Sequence, residues 1–131
     1  MFTILVVEDH PIMRPTLRDL LRLEGYTVVT AMHGFEALDR LRVTPVDLVI
    51  TNFALPELDG LELLKIIRAD VNYQNLPVLV FTAIALPEVR GRVMAAGAND
   101  FLLRPITPQM LFEAISYWLA PQGVGEMLAT G

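Results

Sequence analysis

The chain has 131 residues, with 10 Lys and Arg against 15 Asp and Glu and a formal net charge of −5, which bounds it to one domain and excludes a general nucleic-acid binder, whose phosphate contacts need clustered basic residues. Hydrophobic residues make up 53% and charged residues 19%, the reverse of a disordered composition, and the lack of cysteine excludes disulfide scaffolds, thiolate metal sites and cysteine nucleophiles. The start MFTILVVEDH lacks the basic, long apolar pattern of a signal peptide, and the longest apolar stretch, near residues 78–86, is far short of the ~20 residues that span a bilayer.

Thr3–Val7 (TILVV) predicts a first strand, apolar almost throughout and so covered on both faces. Met13, Leu17, Leu20, Leu21 and Glu24 fall at i, i+4, i+7, i+8 and i+11, a helical stripe with Gly25 as its stop. A second strand is expected over residues 26–30 and a second helix over 34–41, carrying Phe35, Leu38 and Leu41. A third strand over 47–51 precedes a helix with Leu63, Ile66 and Ile67 on one side and Lys65 and Arg68 on the other. Val78–Thr82 reads as a fourth strand, and residues 87–96 as a helix ended by Gly97. Asp100–Leu103 is the fifth strand, followed by a helix over 110–119 with Leu111, Ile115 and Trp118 on one face.

This alternation implies an α/β fold: a flavodoxin-like, doubly wound parallel sheet of five strands in the order 2-1-3-4-5, with five helices. Residues 1–120 form the expected domain, and 121–131 (PQGVGEMLATG) read as a C-terminal tail or linker. The Met1 start fits a native N-terminus, either of a small stand-alone protein or of an N-terminal domain cut from a longer one.

In such a sheet the functional crevice lies beyond the carboxyl ends of the strands, between the first and the third. Glu8 and Asp9 follow the first strand, Asn52 the third, Thr82 closes the fourth and Arg104 ends the fifth. Each alone reads as strand-end solvation or a helix cap. Together they bring two acids, an amide, a hydroxyl and a guanidinium to one crevice.

The blocks VVEDHPIMRPTLRDLLRLEGYTV, DLVITNFALPELDGLELLKIIR, LPVLVFTA and AAGANDFLLRPI resemble the signature blocks of the response-regulator receiver domain of two-component signalling, in family order and spacing over about residues 3–119. The resemblance implies a bacterial phosphorelay module. In that family an aspartate ending the third strand takes a phosphoryl group, and an acidic pair after the first strand helps hold Mg²⁺. A hydroxyl and a lysine contact the phosphoryl oxygens, and an aromatic on the fifth strand reorients. By this likeness Glu8 and Asp9 are the acidic pair and Ala54 lends a carbonyl to the metal. Thr82 is the switch hydroxyl, Phe101 the aromatic, and Pro105 the proline whose preceding bond is typically cis, while Pro56 shapes the loop after Asn52.

Two positions depart from the family pattern. Asn52 stands where the phosphoacceptor aspartate belongs, and Arg104 where the family has lysine. An amide is a poor nucleophile, and its loss of charge leaves weak Mg²⁺ binding at most, since that ion prefers charged oxygens in octahedral geometry. No cofactor is therefore required. Arginine is a planar fork suited to carboxylates, so Arg104 is expected to pair with Glu8 or Asp9 in place of the metal. The sequence leaves two origins for Asn52 open: a naturally atypical, non-phosphorylatable pseudo-receiver, or an ordinary phosphorylation-dependent receiver with an engineered Asp-to-Asn substitution.

Other residues invite simpler readings. Asp59 before Gly60 is expected to cap a helix. His10 and His33 lack metal-ligand spacing and read as solvated loop residues, although His10 stands near the crevice. The loop AIAL (83–86) is unusually apolar, the following helix starts without a capping side chain, and Gly91 weakens it. Ile84 and Leu86 thus either cover the protein's own core or present a patch to a partner. The resemblance implies a protein partner, a histidine kinase or other signalling protein, or a homodimer through residues 84–119. Neither nucleic acid nor membrane is an expected partner, and the protein is expected in the cytoplasm. A phosphohydrolase is the enzymatic rival, but it needs a nucleophilic aspartate in a DxD-like arrangement after the first strand. Glu8-Asp9-His10-Pro11 does not supply one, so no enzyme is expected, and no glycine-rich nucleotide loop follows that strand.

Overall fold

The computed structural model describes residues 1–120. Five parallel strands, β1 (Thr3–Val7), β2 (Thr27–Ala31), β3 (Leu48–Asn52), β4 (Val78–Thr82) and β5 (Asp100–Leu103), form one sheet in the order β2-β1-β3-β4-β5. They alternate with α1 (Met13–Leu23), α2 (Gly34–Val43), α3 (Gly60–Ala69), α4 (Pro87–Ala95) and α5 (Pro108–Leu119), and a short 3-10 turn, Val71–Tyr73, follows α3.

Because side chains alternate across a strand, the sheet divides its residues between two cores. Leu5, Val7, Val49, Val78 and Val80 pack on one face against Ala37 and Leu41 of α2, Leu63, Leu64 and Ile67 of α3 and Val93 of α4. Ile4, Val6, Leu48, Ile50, Leu79 and Phe81 pack on the other against Leu21 of α1 and Leu111 and Ile115 of α5. The expected topology is therefore present, and the apolar excess of the sequence is the covering of both sheet faces.

The differences are local. β2 and β3 each lie one residue later than hydrophobicity suggests, and α5 starts at Pro108 because Thr107 accepts a hydrogen bond from Met110 N (3.1 Å). Ile66 is exposed, while Leu61 and Leu64 take the buried positions on α3. Arg68, on the polar side of that helix, reaches inward. Its guanidinium donates to the carbonyls of Gly97 (2.9 Å), Tyr73 (2.9 Å) and Leu76 (2.7 Å) and to Asn99 Oδ1 (2.8 Å), tying α3 to the loops on either side of α4 and β4. Gly25 and Gly97 adopt φ of +95° and +106° after α1 and α4, the left-handed conformation that ends helices with least strain in glycine.

Candidate functional site

The sheet register brings the site together. Val7 lies opposite Thr51 and Asn52 opposite Phe81, so Glu8 and Asn52 emerge at adjacent strand ends. Glu8 N donates to Ala31 O (3.0 Å) and Arg104 N to Thr82 O (2.8 Å), which extends the backbone ladder past the strands and fixes both residues at the same edge. The loop after β3 folds back tightly: Gly60 N donates to Phe53 O (2.8 Å). A Cβ at residue 60 lies 2.5 Å from Asn52 O and 2.8 Å from Phe53 Cα, so only glycine fits there. Asp59 caps α3, accepting from Glu62 N (2.8 Å) while Glu62 accepts from Asp59 N (3.2 Å), a reciprocal box that anchors the loop's far end. Within the loop Glu57 holds φ of +66°, an uncommon conformation for a residue other than glycine.

Glu8 is 1% exposed and sits at the centre of the charged cluster. Its Oε2 accepts from Arg104 Nη2 at 3.0 Å, and its Oε1 accepts from His10 N at 3.3 Å. The Arg104 guanidinium also lies over the Phe81 ring, 4.6 Å from its centroid, a cation–π contact that adds to its anchoring. Burial pushes the Glu8 carboxyl above its usual range; the attraction of Arg104 and the His10 N–H oppose this, and Asp9 adds to it. Asp9 itself is exposed. Arg14 Nη1 donates to the carbonyls of Glu8 (3.2 Å) and Asp9 (3.4 Å), pinning the loop between β1 and α1. The Arg104–Pro105 peptide bond is cis.

Thr82 is buried at the end of β4, and its Oγ1 accepts from Ile84 N (3.1 Å). Phe101 is buried, with the Arg90 guanidinium 6.0 Å from its ring centroid. Ala54 and Pro56 are exposed in the loop after β3. Of the residues singled out by sequence, Glu8 and Arg104 are in direct contact, while Asn52 and Thr82 end the two central strands beside them. Among the described residues no group of three or more His, Cys, Asp or Glu side chains could hold a metal ion.

Both histidines do more than solvate loops. His10 Nδ1 accepts from Ile12 N (3.1 Å) and Met13 N (3.2 Å) at the start of α1, and His33 Nδ1 accepts from Glu36 N (3.1 Å) at the start of α2. Each ring does the work of a capping carboxylate or hydroxyl. The available signal was position, since both stand just ahead of a helical period. Ile84 and Leu86 are exposed, Leu86 at the cap of α4 makes no side-chain hydrogen bond, and Leu103 is exposed on the neighbouring strand. Neither Ile84 nor Leu86 therefore belongs to the fully buried core, and Leu86, 57% exposed, is the more open of the two. Among the described residues no helix is long and apolar enough to cross a membrane.

A profile of the response regulator receiver domain matches residues 4–116. The chain belongs to that family. It is 31% identical over 117 residues to the polar-differentiation response regulator DivK of Brucella anthropi, covering 89% of this chain and 95% of that protein. It is 32% identical to part of the CAI-1 autoinducer sensor kinase/phosphatase CqsS of Vibrio cholerae, covering 88% of this chain but only 17% of that larger protein. The receiver domain of the sensor histidine kinase PA1611 of Pseudomonas aeruginosa superimposes with a TM-score of 0.83 at 31% identity, covering 90% of this chain and 97% of that one. That structure carries a magnesium ion coordinated in its active-site cleft.

Proposed function

We propose that this receiver is an atypical signalling module that works through protein contact and does not accept a phosphoryl group at residue 52. The ion pair between Arg104 and Glu8 carries the reading. Asn52 offers an amide where an acyl phosphate requires a carboxylate nucleophile. Mg²⁺ is held by one or two carboxylates and keeps several waters in its octahedral shell. Here one acid, Glu8, already has both oxygens engaged, Oε2 by a guanidinium and Oε1 by a backbone N–H. That leaves Asp9, the Asn52 amide and the Ala54 carbonyl, a donor set that fits Mg²⁺ poorly, so binding is weak and nothing in the proposed role depends on it. Arg104 holds its positive charge in the cluster permanently, in a state that needs no phosphorylation.

The alternative is an ordinary phosphorylation-dependent receiver in which Asn52 replaces an original aspartate. Thr82, Glu8 and Asp9 are compatible with it. Arg104 favours divergence, because blocking phosphorylation needs only one change. In either case the role is non-enzymatic, and the expected place is the cytoplasm. The domain extends over 1–120, with 121–131 as tail or linker. The partner is a histidine kinase, another signalling protein or a second copy, met through residues 84–119. That segment carries the exposed apolar residues Ile84, Leu86, Leu103 and Met110, a residue type suited to an interface.

Beryllofluoride with Mg²⁺ tests the reading, because it adds to an aspartyl carboxylate as a phosphoryl mimic. Two-dimensional NMR spectra are expected to show the Thr82 and Phe101 resonances unmoved by the mixture. Saturable shifts at both residues contradict the proposal.

A further inference from the structure

A cavity of about 470 Å³ opens beside the ion pair, between α1 and the loop leading into α5. Its volume falls in the ~300–1,000 Å³ range typical of small-ligand sites. Buried Ile50 and Phe81 form part of its lining from the sheet, Leu17 and Leu20 line it from α1, and Ile106 lines it from the loop before α5. Among the described residues Arg104 is the one charged residue in the lining. Its guanidinium carries five N–H donors, and its bond to Glu8 uses Nη2. An apolar chamber with a single cationic fork at its edge selects for chemistry: the walls reject polar molecules, and the fork rewards one anionic group.

We propose that this cavity binds a small amphipathic acid, with an aliphatic or aromatic body between α1 and the α5 loop and one carboxylate on Arg104. Charge complementarity sets the orientation, head to the guanidinium and body along Leu17, Leu20 and Ile106. Glu8 keeps its bond to Nη2 while the ligand uses other donors of the same fork, so binding ties the ion pair to α1. The inference goes beyond the proposed function; it shares the Arg104–Glu8 pair with that reading but makes no use of residue 52. A chain that proves phosphorylatable can still bind the acid, and failure to bind it says nothing about phosphorylation.

Decanoate is the probe and decanol its uncharged control, each titrated into the full chain by calorimetry and NMR. Decanoate is expected to bind saturably at one site, shifting Leu17, Leu20, Ile106 and the Arg104 Nε–H. A hydrogen bond to a charged group is worth ~1.5–3 kcal/mol, so decanol is expected to bind at least about tenfold more weakly. Arg104→Gln should weaken decanoate by a similar factor and leave decanol unchanged, while Arg104→Lys should fall between. Leu20→Trp fills the cavity and should abolish binding of both probes; Ile106→Trp serves the same purpose if the first variant fails to fold. Equal affinity for the two probes, undiminished binding to Arg104→Gln, or shifts centred on Leu86 and Leu103 overturns the proposal. So does a dimer, seen by sedimentation, that decanoate dissociates, since the cavity then seats a second copy.

Discussion

Replacing Arg104 with methionine keeps much of the side chain's apolar bulk and removes its charge. The change breaks the 3.0 Å bond to Glu8 Oε2 and the contact 4.6 Å above the Phe81 ring. A charge-assisted hydrogen bond contributes ~1.5–3 kcal/mol, and a partly desolvated cation–π contact ~0.5–2 kcal/mol. The Arg104 side chain is 29% exposed, so solvent screening moves both toward their lower ends and the expected loss is about 2–3 kcal/mol near pH 8. Glu8, with its side chain 2% exposed, is then a buried carboxylate without its cation, and it escapes by taking up a proton. The loss therefore shrinks as pH falls. Urea unfolding followed by Trp118 fluorescence, at about pH 8 and about pH 5, reads both effects. The double variant Glu8→Gln/Arg104→Met should recover most of the loss at the higher pH, which measures the coupling directly. Stability within about 0.5 kcal/mol of the unmodified chain at both pH values, or a loss that grows on acidification, refutes the reasoning.

Gly60→Ala places a Cβ 2.5 Å from Asn52 O, a backbone atom that cannot swing aside, and should cost about 1–3 kcal/mol in a thermal melt, as overpacking does. Gly91→Ala has the opposite sign: among the described residues no atom lies within 4 Å of the added Cβ on α4, so a gain of about 0.5–1 kcal/mol and slower amide exchange over that helix are expected. Glu8→Gln changes the pH profile. Burial raises the Glu8 carboxyl from its ordinary value of 4.5, so over the window above that value the folded chain binds a proton that the unfolded chain has released. The resulting stability is present below the window and lost as pH rises through the raised value. Denaturant midpoints of the variant should therefore gain on the unmodified chain as pH rises above 4.5, and a difference that is flat or falls contradicts the cause assigned to the shift.

Much of the fold is legible in residue order alone. Short β-branched runs such as DLVIT and VLVFT, set between helical periods, specify a parallel sheet, and right-handed crossovers then leave few strand orders. Asp59 before Gly60 and the uncapped start at Leu86 were readable because capping is a local property. Ile66 was not: on a helix packed across β3 and β4, the choice between Ile66 and Leu64 for burial depends on the rotation of α3, which the neighbouring sheet sets. The part played by Arg68 was not legible for a related reason. A cation on the polar side of an amphipathic helix looks solvated until a distant loop brings Gly97 and Asn99 within reach. At the site, the residue types at the strand ends were legible, as was the attraction between a guanidinium and an acid. The choice of Glu8 over Asp9 follows from burial of the one and exposure of the other, which is a tertiary fact.

The central claim is that residue 52 takes no phosphoryl group and that Arg104 occupies the charge position of the cluster in its place. Intact-protein mass spectrometry after incubation with acetyl phosphate and Mg²⁺ tests it most directly, on the chain as it stands, on Asn52→Asp and on Asn52→Asp/Arg104→Lys. The account predicts no added phosphoryl mass on the unmodified chain, poor labelling of Asn52→Asp and efficient labelling of the double variant. Label on the unmodified chain at residue 52 contradicts the claim outright. Full labelling of Asn52→Asp with Arg104 in place contradicts the role given to the arginine and identifies an ordinary receiver with a substituted acceptor.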